Sequence, residues 1–224
     1  MEIFDKIHIN LELERVRKQV RFNDSDKVQA LMDRAGQLMD PRTAFSSEYP
    51  DDMQDASVRI AGQEFQSGVL RKNLEGVGRV FPFVITLGPA LEEEESRLED
   101  LLDRYLLDKI GDLILRQTSR QLQEYLQTRF AITKLSSMSP GSLPDWPISE
   151  QKKLFTLLGD VQGRLGVRLN ESLLMIPRKS VSGLYFPTEV SFFSCQLCPR
   201  KNCEARKAAF DAAKAEEYGT AETH

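Results

Sequence analysis

Histidine is scarce in this chain of 224 residues: only His8 and His224 carry an imidazole. One falls in a predicted strand and the other ends the tail, so neither a histidine-based zinc site nor a Ser/His/Asp triad finds support. Tryptophan occurs once, at Trp146, where a core anchor is expected rather than a stacking platform. The three cysteines all lie between Cys195 and Cys203. An odd, clustered set excludes a disulfide framework and suits thiolate chemistry in a reducing compartment. No apolar run approaches the roughly 18–20 residues that span a bilayer. The start, Met1-Glu2-Ile3-Phe4-Asp5-Lys6, lacks the basic and then apolar pattern of a signal peptide. A cytoplasmic protein with no membrane partner is therefore expected. Lys and Arg number 30 against 34 Asp and Glu, for a net charge of −4 and a pI near 5.4, so a chain-wide basic footprint for nucleic acid is missing. Phosphate-cradling glycine loops are absent too.

What is present is ordinary globular material: 41% hydrophobic and 29% charged residues. The length suits one large domain or two small ones. Ile3 to Leu11 reads as a strand. Asp24-Ser25-Asp26 offers caps for a helix carrying Val28, Leu31, Met32 and Leu38, which Pro41 stops. Residues 42–55 read as a loop and a short strand, and Ser57-Val58-Arg59-Ile60 as a strand with a turn at Gly62. Phe65 to Leu74 reads as a short helix. Val77 to Leu87 is apolar on both faces, which predicts a central, buried strand. Residues 90–130 are helical, with Leu98, Leu101, Leu102 and Tyr105 as one apolar stripe. Gly111 leaves one bent helix or two equally open. Glu92 to Glu95 reads as a solvated helix start favoured by the macrodipole. Residues 135–148 form an ordered loop rich in proline. Ser149 opens a helix through Leu158, Val167–Met175 and Ser180–Phe186 read as a strand pair, and Glu204–Tyr218 as a helix. Strands and helices mix without strict βαβ alternation, which predicts an α+β fold.

Residues 139–186 carry a specific pattern. Ser139-Pro140-Gly141 is followed by Pro144, Trp146-Pro147, Leu154-Phe155 and Leu157-Leu158. Then come Gly166-Val167-x-Leu169, Ser172, Met175-x-Pro177 and Ser180-Val181-Ser182-Gly183-x-Tyr185-Phe186. This order and spacing resembles the activation (reactivation) domain of cobalamin-dependent methionine synthase, as a free-standing relative. The resemblance extends over roughly residues 57–186. It implies a C-shaped α+β domain with a mostly antiparallel sheet and flanking helices over residues 1–190, leaving 191–224 as a cysteine-containing loop and C-terminal helix. It implies binding of S-adenosylmethionine and docking over a cobalamin carried by a partner methyltransferase or corrinoid protein. Its job would be an accessory one in methionine biosynthesis. After cobalt oxidation, an electron donor supplies one electron and S-adenosylmethionine traps the reduced state, with the chemistry shared between the domain and its partner.

The resemblance further implies site residues: Ser139, Pro140, Gly141, Ser182, Gly183 and Tyr185 around the ligands. Tyr185 would be the catalytic, cofactor-facing residue, exposed on a concave surface. Arg120 and Glu124 on the long helix lie near where the family places an acidic ligand for the amino group. The family segment reads Arg-Pro-x-Pro-Gly-Tyr, and its arginine clamps the carboxylate of S-adenosylmethionine. Here the matching stretch runs from Ser137 to Ser142, without that arginine or tyrosine. Weakened binding of S-adenosylmethionine is expected, with Arg116 or Arg120 as possible substitutes. Two other readings follow: a corrinoid reductase component independent of S-adenosylmethionine, and a non-catalytic module that caps a corrinoid protein.

Cys195-x-x-Cys198-x-x-x-x-Cys203 adds a further candidate site. Its spacing admits an iron–sulfur cluster, a structural zinc with a fourth ligand from elsewhere, or free thiols. The inferred job needs an electron, which favours iron–sulfur. Arg200, Lys201, Arg206 and Lys207 surround the cluster with positive charge.

Overall fold

The computed structural model describes residues 1–203 and 206–220. Strand β1 (Glu2–Phe4) leads through an irregular segment to helices α1 (Leu13–Val20) and α2 (Ser25–Leu38). Strands β2 (Arg42–Phe45), β3 (Pro50–Met53), β4 (Ser57–Ile60) and β5 (Gln63–Gln66) follow, then helix α3 (Gly68–Asn73) and strand β6 (Phe81–Thr86). Helices α4 (Ala90–Arg97) and α5 (Leu101–Phe130) precede strand β7 (Leu135–Met138) and helices α6 (Gln151–Leu158) and α7 (Val161–Leu165). Short strands β8 (Arg168–Leu169) and β9 (Met175–Ile176), the long β10 (Ser180–Pro187) and helix α8 (Ala212–Glu217) complete the chain. Strand order is β1-β2-β6-β10-β7 in the largest sheet, β3-β4-β5 in a second, and β8-β9 in a hairpin. The α+β arrangement is the one expected, and β6 is the central, wholly buried strand. No helix among the described residues is long and apolar enough to cross a membrane.

The chain divides into two compact units. The first comprises Met1–Ala44, Val84–Tyr125 and Asp160–Val181; the second comprises Phe45–Phe83, Leu126–Gly159 and Ser182–His224. In the first unit, Val16, Val28, Leu31, Ala35, Leu91, Leu106, Ile110 and Ile114 close a helical core. Asp24 caps α2 by accepting the amide of Lys27. Residues 5–12 form no regular strand, in place of the strand predicted to Leu11; Ile7 turns its amide back to the Asp5 carbonyl at 2.9 Å, and α5 holds the segment at two further points. There the side-chain amides of Gln121 and Gln117 each donate to and accept from one backbone unit, at His8 and Asn10 respectively. Two glutamines four residues apart on a helix thus do the work of a neighbouring strand.

α5 is a single helix of 30 residues that runs through Gly111. A methyl group at Gly111 would lie 2.8 Å from the Leu91 side chain and 3.2 Å from Cε of Lys179. The glycine therefore admits packing across the helix rather than ending it. Lys179 is only 7% exposed, and its ammonium lies 2.6 Å from both Asp108 and Asp112, one turn apart on α5. The predicted stripe on the helix start is corrected, since Leu101 is 75% exposed and Tyr105 46%. Nor is the acidic start merely solvated: Glu92 and Glu95 pair with Arg178, and buried Glu94 pairs with Arg34.

Gly36, inside α2, has nothing within 4 Å of where a methyl group would sit. Glycine in a helix interior costs about 0.5–1 kcal/mol relative to alanine. Gly36→Ala should therefore raise the unfolding free energy by about 0.5–1 kcal/mol, seen as a higher urea midpoint at an unchanged slope. A lowered midpoint would mean that the space beside Gly36 is filled.

The second unit builds its core from Val58, Ile60, Phe65, Leu70, Leu74, Met138, Trp146, Leu184 and Phe186. Trp146 is fully buried, edge-on to Phe65 at 6.1 Å. Two strand assignments change. Val167–Met175 does not pair with Ser180–Phe186. It closes on itself as the β8–β9 hairpin, while β10 pairs antiparallel with β7. The predicted helix over Phe65–Leu74 is a strand followed by a shorter helix, because Ser67 caps α3 by accepting the amide of Leu70.

Candidate functional site

The register of β10 against β7 pairs Leu184 with Met138 and Tyr185 with Ser137. One step further, Gly183 faces Ser139. A methyl group on Gly183 would overlap the carbonyl oxygen of Met138 and lie 2.8 Å from Oγ of Ser139 and 3.1 Å from the Phe83 ring. The glycine of Ser180-Val181-Ser182-Gly183 is thus required by a close backbone approach at the end of β7. Side chains alternate along the strand, so Ser182 points to the opposite face from Gly183 and Tyr185. It is buried, and its hydroxyl has no hydrogen-bond partner among the described residues. The structure therefore brings Ser139 and Gly183 together and separates Ser182 from them.

Tyr185 was expected on an exposed surface, and this is corrected. It is 3% exposed, with its ring stacked on Phe83 at a centroid distance of 4.1 Å and an interplanar angle of 20°. The absence of a side chain at Gly183 leaves room for Phe83 on this face, and the ring of Tyr185 stacks upon it.

The loop after β7 is ordered by its own backbone. Gly141, at φ 81°, donates its amide to the Trp146 carbonyl at 2.7 Å, and Ser142 donates to the Ser139 carbonyl at 3.1 Å. Pro140 is buried and Gly141 is exposed. Asp145 fixes the loop to α3: its carboxylate accepts the amides of Gly68 at 3.2 Å and Val69 at 3.0 Å, together with the hydroxyl of Ser67. A carboxylate at a helix start is favoured both by these donors and by the macrodipole. Nothing nearby in sequence announces this contact, since Asp145 lies 78 residues from Ser67. The site face thus offers the hydroxyls of Ser137 and Ser139 and a glycine turn. No guanidinium lies on β7 or on the turn at 139–142.

Arg120 and Glu124 lie on α5 in the first unit, where they form an exposed ion pair at 2.7 Å. They line a groove of about 380 Å³ between α1 and α5, together with Arg15, Arg116, Gln19 and Leu113. Arg15 and Arg116 make no ion pair among the described residues.

The three cysteines are free and partly exposed. Among the described residues, no three His, Cys, Asp or Glu side chains gather closely enough to hold a metal ion. The loop has a different centre. The Arg206 guanidinium donates to the carbonyls of Cys195 at 3.1 Å, Cys198 at 3.2 Å and Ala208 at 3.2 Å, and also to that of Arg200. Cys195 Sγ accepts the backbone amide of Lys207 at 3.4 Å. A guanidinium holding the carbonyls of Cys195 and Cys198 supplies the closure that a shared metal would otherwise give. In this arrangement the cysteines do not fit an iron–sulfur cluster or a zinc ion. The sequence marks Arg206 only as nearby charge; its role depends on carbonyls spread over 14 residues.

The expected helix over Glu204–Tyr218 is corrected to α8, Ala212–Glu217, capped by Asp211; residues 204 and 205 lie outside the described residues. Tyr218 packs this end on Phe192 at 5.6 Å, and burial, with the charge of Glu217, raises its pKa.

Comparison with known proteins gives a family match over part of the chain and a likeness in fold. Residues 115–208 match the family of the vitamin B12 dependent methionine synthase activation domain. The match includes β7, the ordered loop, β10 and all three cysteines. The chain is also similar in fold to the crystal structure of the MetH reactivation domain bound to AdoHcy. That likeness has a TM-score of 0.59 at 17% identity, covering 84% of this chain and 74% of the other. The resemblance read from the sequence is thus found independently, on the segment that carries its motifs.

Proposed function

We propose that this protein is an accessory to the reductive reactivation of a cobalamin-dependent methyltransferase, with methionine synthase as the partner. The family match over residues 115–208 carries this reading. S-Adenosylmethionine would supply a methyl group, the partner's cobalamin would receive it, and a separate donor would provide the electron. The chain's own part is to hold and orient: the 139–142 turn would cradle the nucleoside, with Gly183 keeping that turn against β10. Cytoplasmic location and a role in methionine biosynthesis follow from the same reading.

The ligand's carboxylate has lost its partner at Ser137. A charge-assisted hydrogen bond contributes roughly 1.5–3 kcal/mol, or about one to two powers of ten in Kd. We expect weak binding of S-adenosylmethionine by calorimetry, tightened about tenfold or more by Ser137→Arg. Submicromolar binding by the unaltered chain, or no gain with the arginine restored, would refute this account of the turn. A second reading, reactivation without S-adenosylmethionine, is favoured by the missing guanidinium and by the burial of Tyr185. Complete absence of binding in both proteins would select it.

A further inference from the structure

We propose that Cys195 and Cys198 form a reactive dithiol, oxidised to a disulfide by a small anionic disulfide that docks in the cationic cleft beside them. The inference is independent of the reactivation reading. It starts from the disagreement between the cysteine motif and any metal: the loop is closed by Arg206, which leaves all three thiols free. The amide of Cys198 donates to the carbonyl of Cys195 at 3.3 Å across a tight turn. Such a turn brings its end Cα atoms within about 7 Å, and disulfides span Cα separations of roughly 4.4–6.8 Å. The pair can close with little movement of the backbone. Cys195 is partly exposed, and its sulfur already faces an N–H donor. Cys198 packs against the core of its unit, which suits the resolving position.

The second observation points to the ligand. Pro199, Arg200, Lys201, Arg206 and Phe210 line a cleft of about 470 Å³. Arg206 joins the cleft to the thiols, because its guanidinium bonds the carbonyls of both Cys195 and Cys198. Arg200 and Lys201 are exposed and make no ion pair among the described residues. Phe210 is 44% exposed, an apolar wall for a ligand that carries negative charge. Such a cleft concentrates anions and raises their encounter rate, an effect that salt screens.

The exchange balances without a further reactant. Cys195, as its thiolate, attacks one sulfur of the docked disulfide. A Cys195–reagent bond forms, the reagent's own S–S bond breaks, and its other half leaves as a thiolate with the electron pair. Cys198 loses its proton to solvent and attacks Cys195 Sγ. The Cys195–Cys198 bond forms and the second half leaves as a thiolate. The protein loses two electrons and two protons, and the reagent gains the two electrons.

The test compares two aromatic disulfides on the full chain, the anionic dithiobis(nitrobenzoate) and the neutral dithiodipyridine. The Arg200→Ala/Lys201→Ala variant should slow the anionic reagent about tenfold and leave the neutral one within about twofold. Added salt should slow only the anionic reaction. With one equivalent of reagent, the oxidised protein should carry no adduct and be lighter by two hydrogens. Cys198→Ser should retain one reagent half on Cys195, and Cys203→Ser should behave as the unaltered chain. Equal slowing of both reagents, no slowing of either, or stable adducts on separate cysteines of the unaltered chain would overturn the proposal.

Discussion

Gly183→Ala should destabilise the chain by about 3 kcal/mol, the upper part of the range for overpacking a well-filled site. The added methyl group meets the Met138 carbonyl, Oγ of Ser139 at 2.8 Å and the Phe83 ring at 3.1 Å. The first of these is backbone, held by pairing of Leu184 with Met138, so it cannot swing aside as a flexible side chain would. Relief requires β7 to leave β10 at that end, which also releases the 139–142 turn. We therefore expect a fall in Tm of roughly 10 °C, with faster amide exchange over residues 136–142 than elsewhere. A Tm within a degree or two of the parent would mean that the glycine serves the ligand and not the fold.

Lys179→Met should cost about 2 kcal/mol. Breaking a buried ion pair by removing one partner costs roughly 3–5 kcal/mol. Asp108 and Asp112 keep about a third of their side chains exposed, so water softens the loss. Methionine retains the stem that packs over Gly111, which confines the change to charge. Two carboxylates one turn apart on α5 are then left without their shared cation. The deficit should shrink in Lys179→Met/Asp112→Asn, where one of the two charges is gone. Equal stability of the single and double variants would show that the stem, not the charge, holds the contact.

The sequence made legible those features whose causes are local. Asp24 announces α2 through its own cap, and the apolar run of Phe81–Thr86 announces a buried strand. Ser139-Pro140-Gly141 and Ser182-Gly183 announce a close approach of two chain segments, and that approach is present. Features with distant causes were illegible. The reason for a glycine at position 111 inside α5 lies in Leu91 and Lys179, and the order of the 139–148 loop depends on α3. α1 has no side-chain cap, and its C-terminus turns on left-handed Arg21 rather than on a glycine, so neither end carries a signal. The burial of Tyr185 follows from Phe83, about a hundred residues earlier, which no motif within β10 could reveal. The cysteine spacing is compatible with metal, but only the position of Arg206 shows what closes the loop.

The measurement that bears most directly on the proposed function is recovery of turnover by a cobalamin-dependent methionine synthase stripped of its own activation domain and oxidised to the inactive state. Turnover would be followed anaerobically with a chemical reductant and S-adenosylmethionine, with and without this chain. We expect the chain to restore turnover, Gly183→Ala to restore little, and Cys198→Ala to restore as much as the parent, since the added reductant supplies the electron. Turnover that stays at the level of reductant and S-adenosylmethionine alone, with properly folded chain present in excess, would contradict the reactivation function.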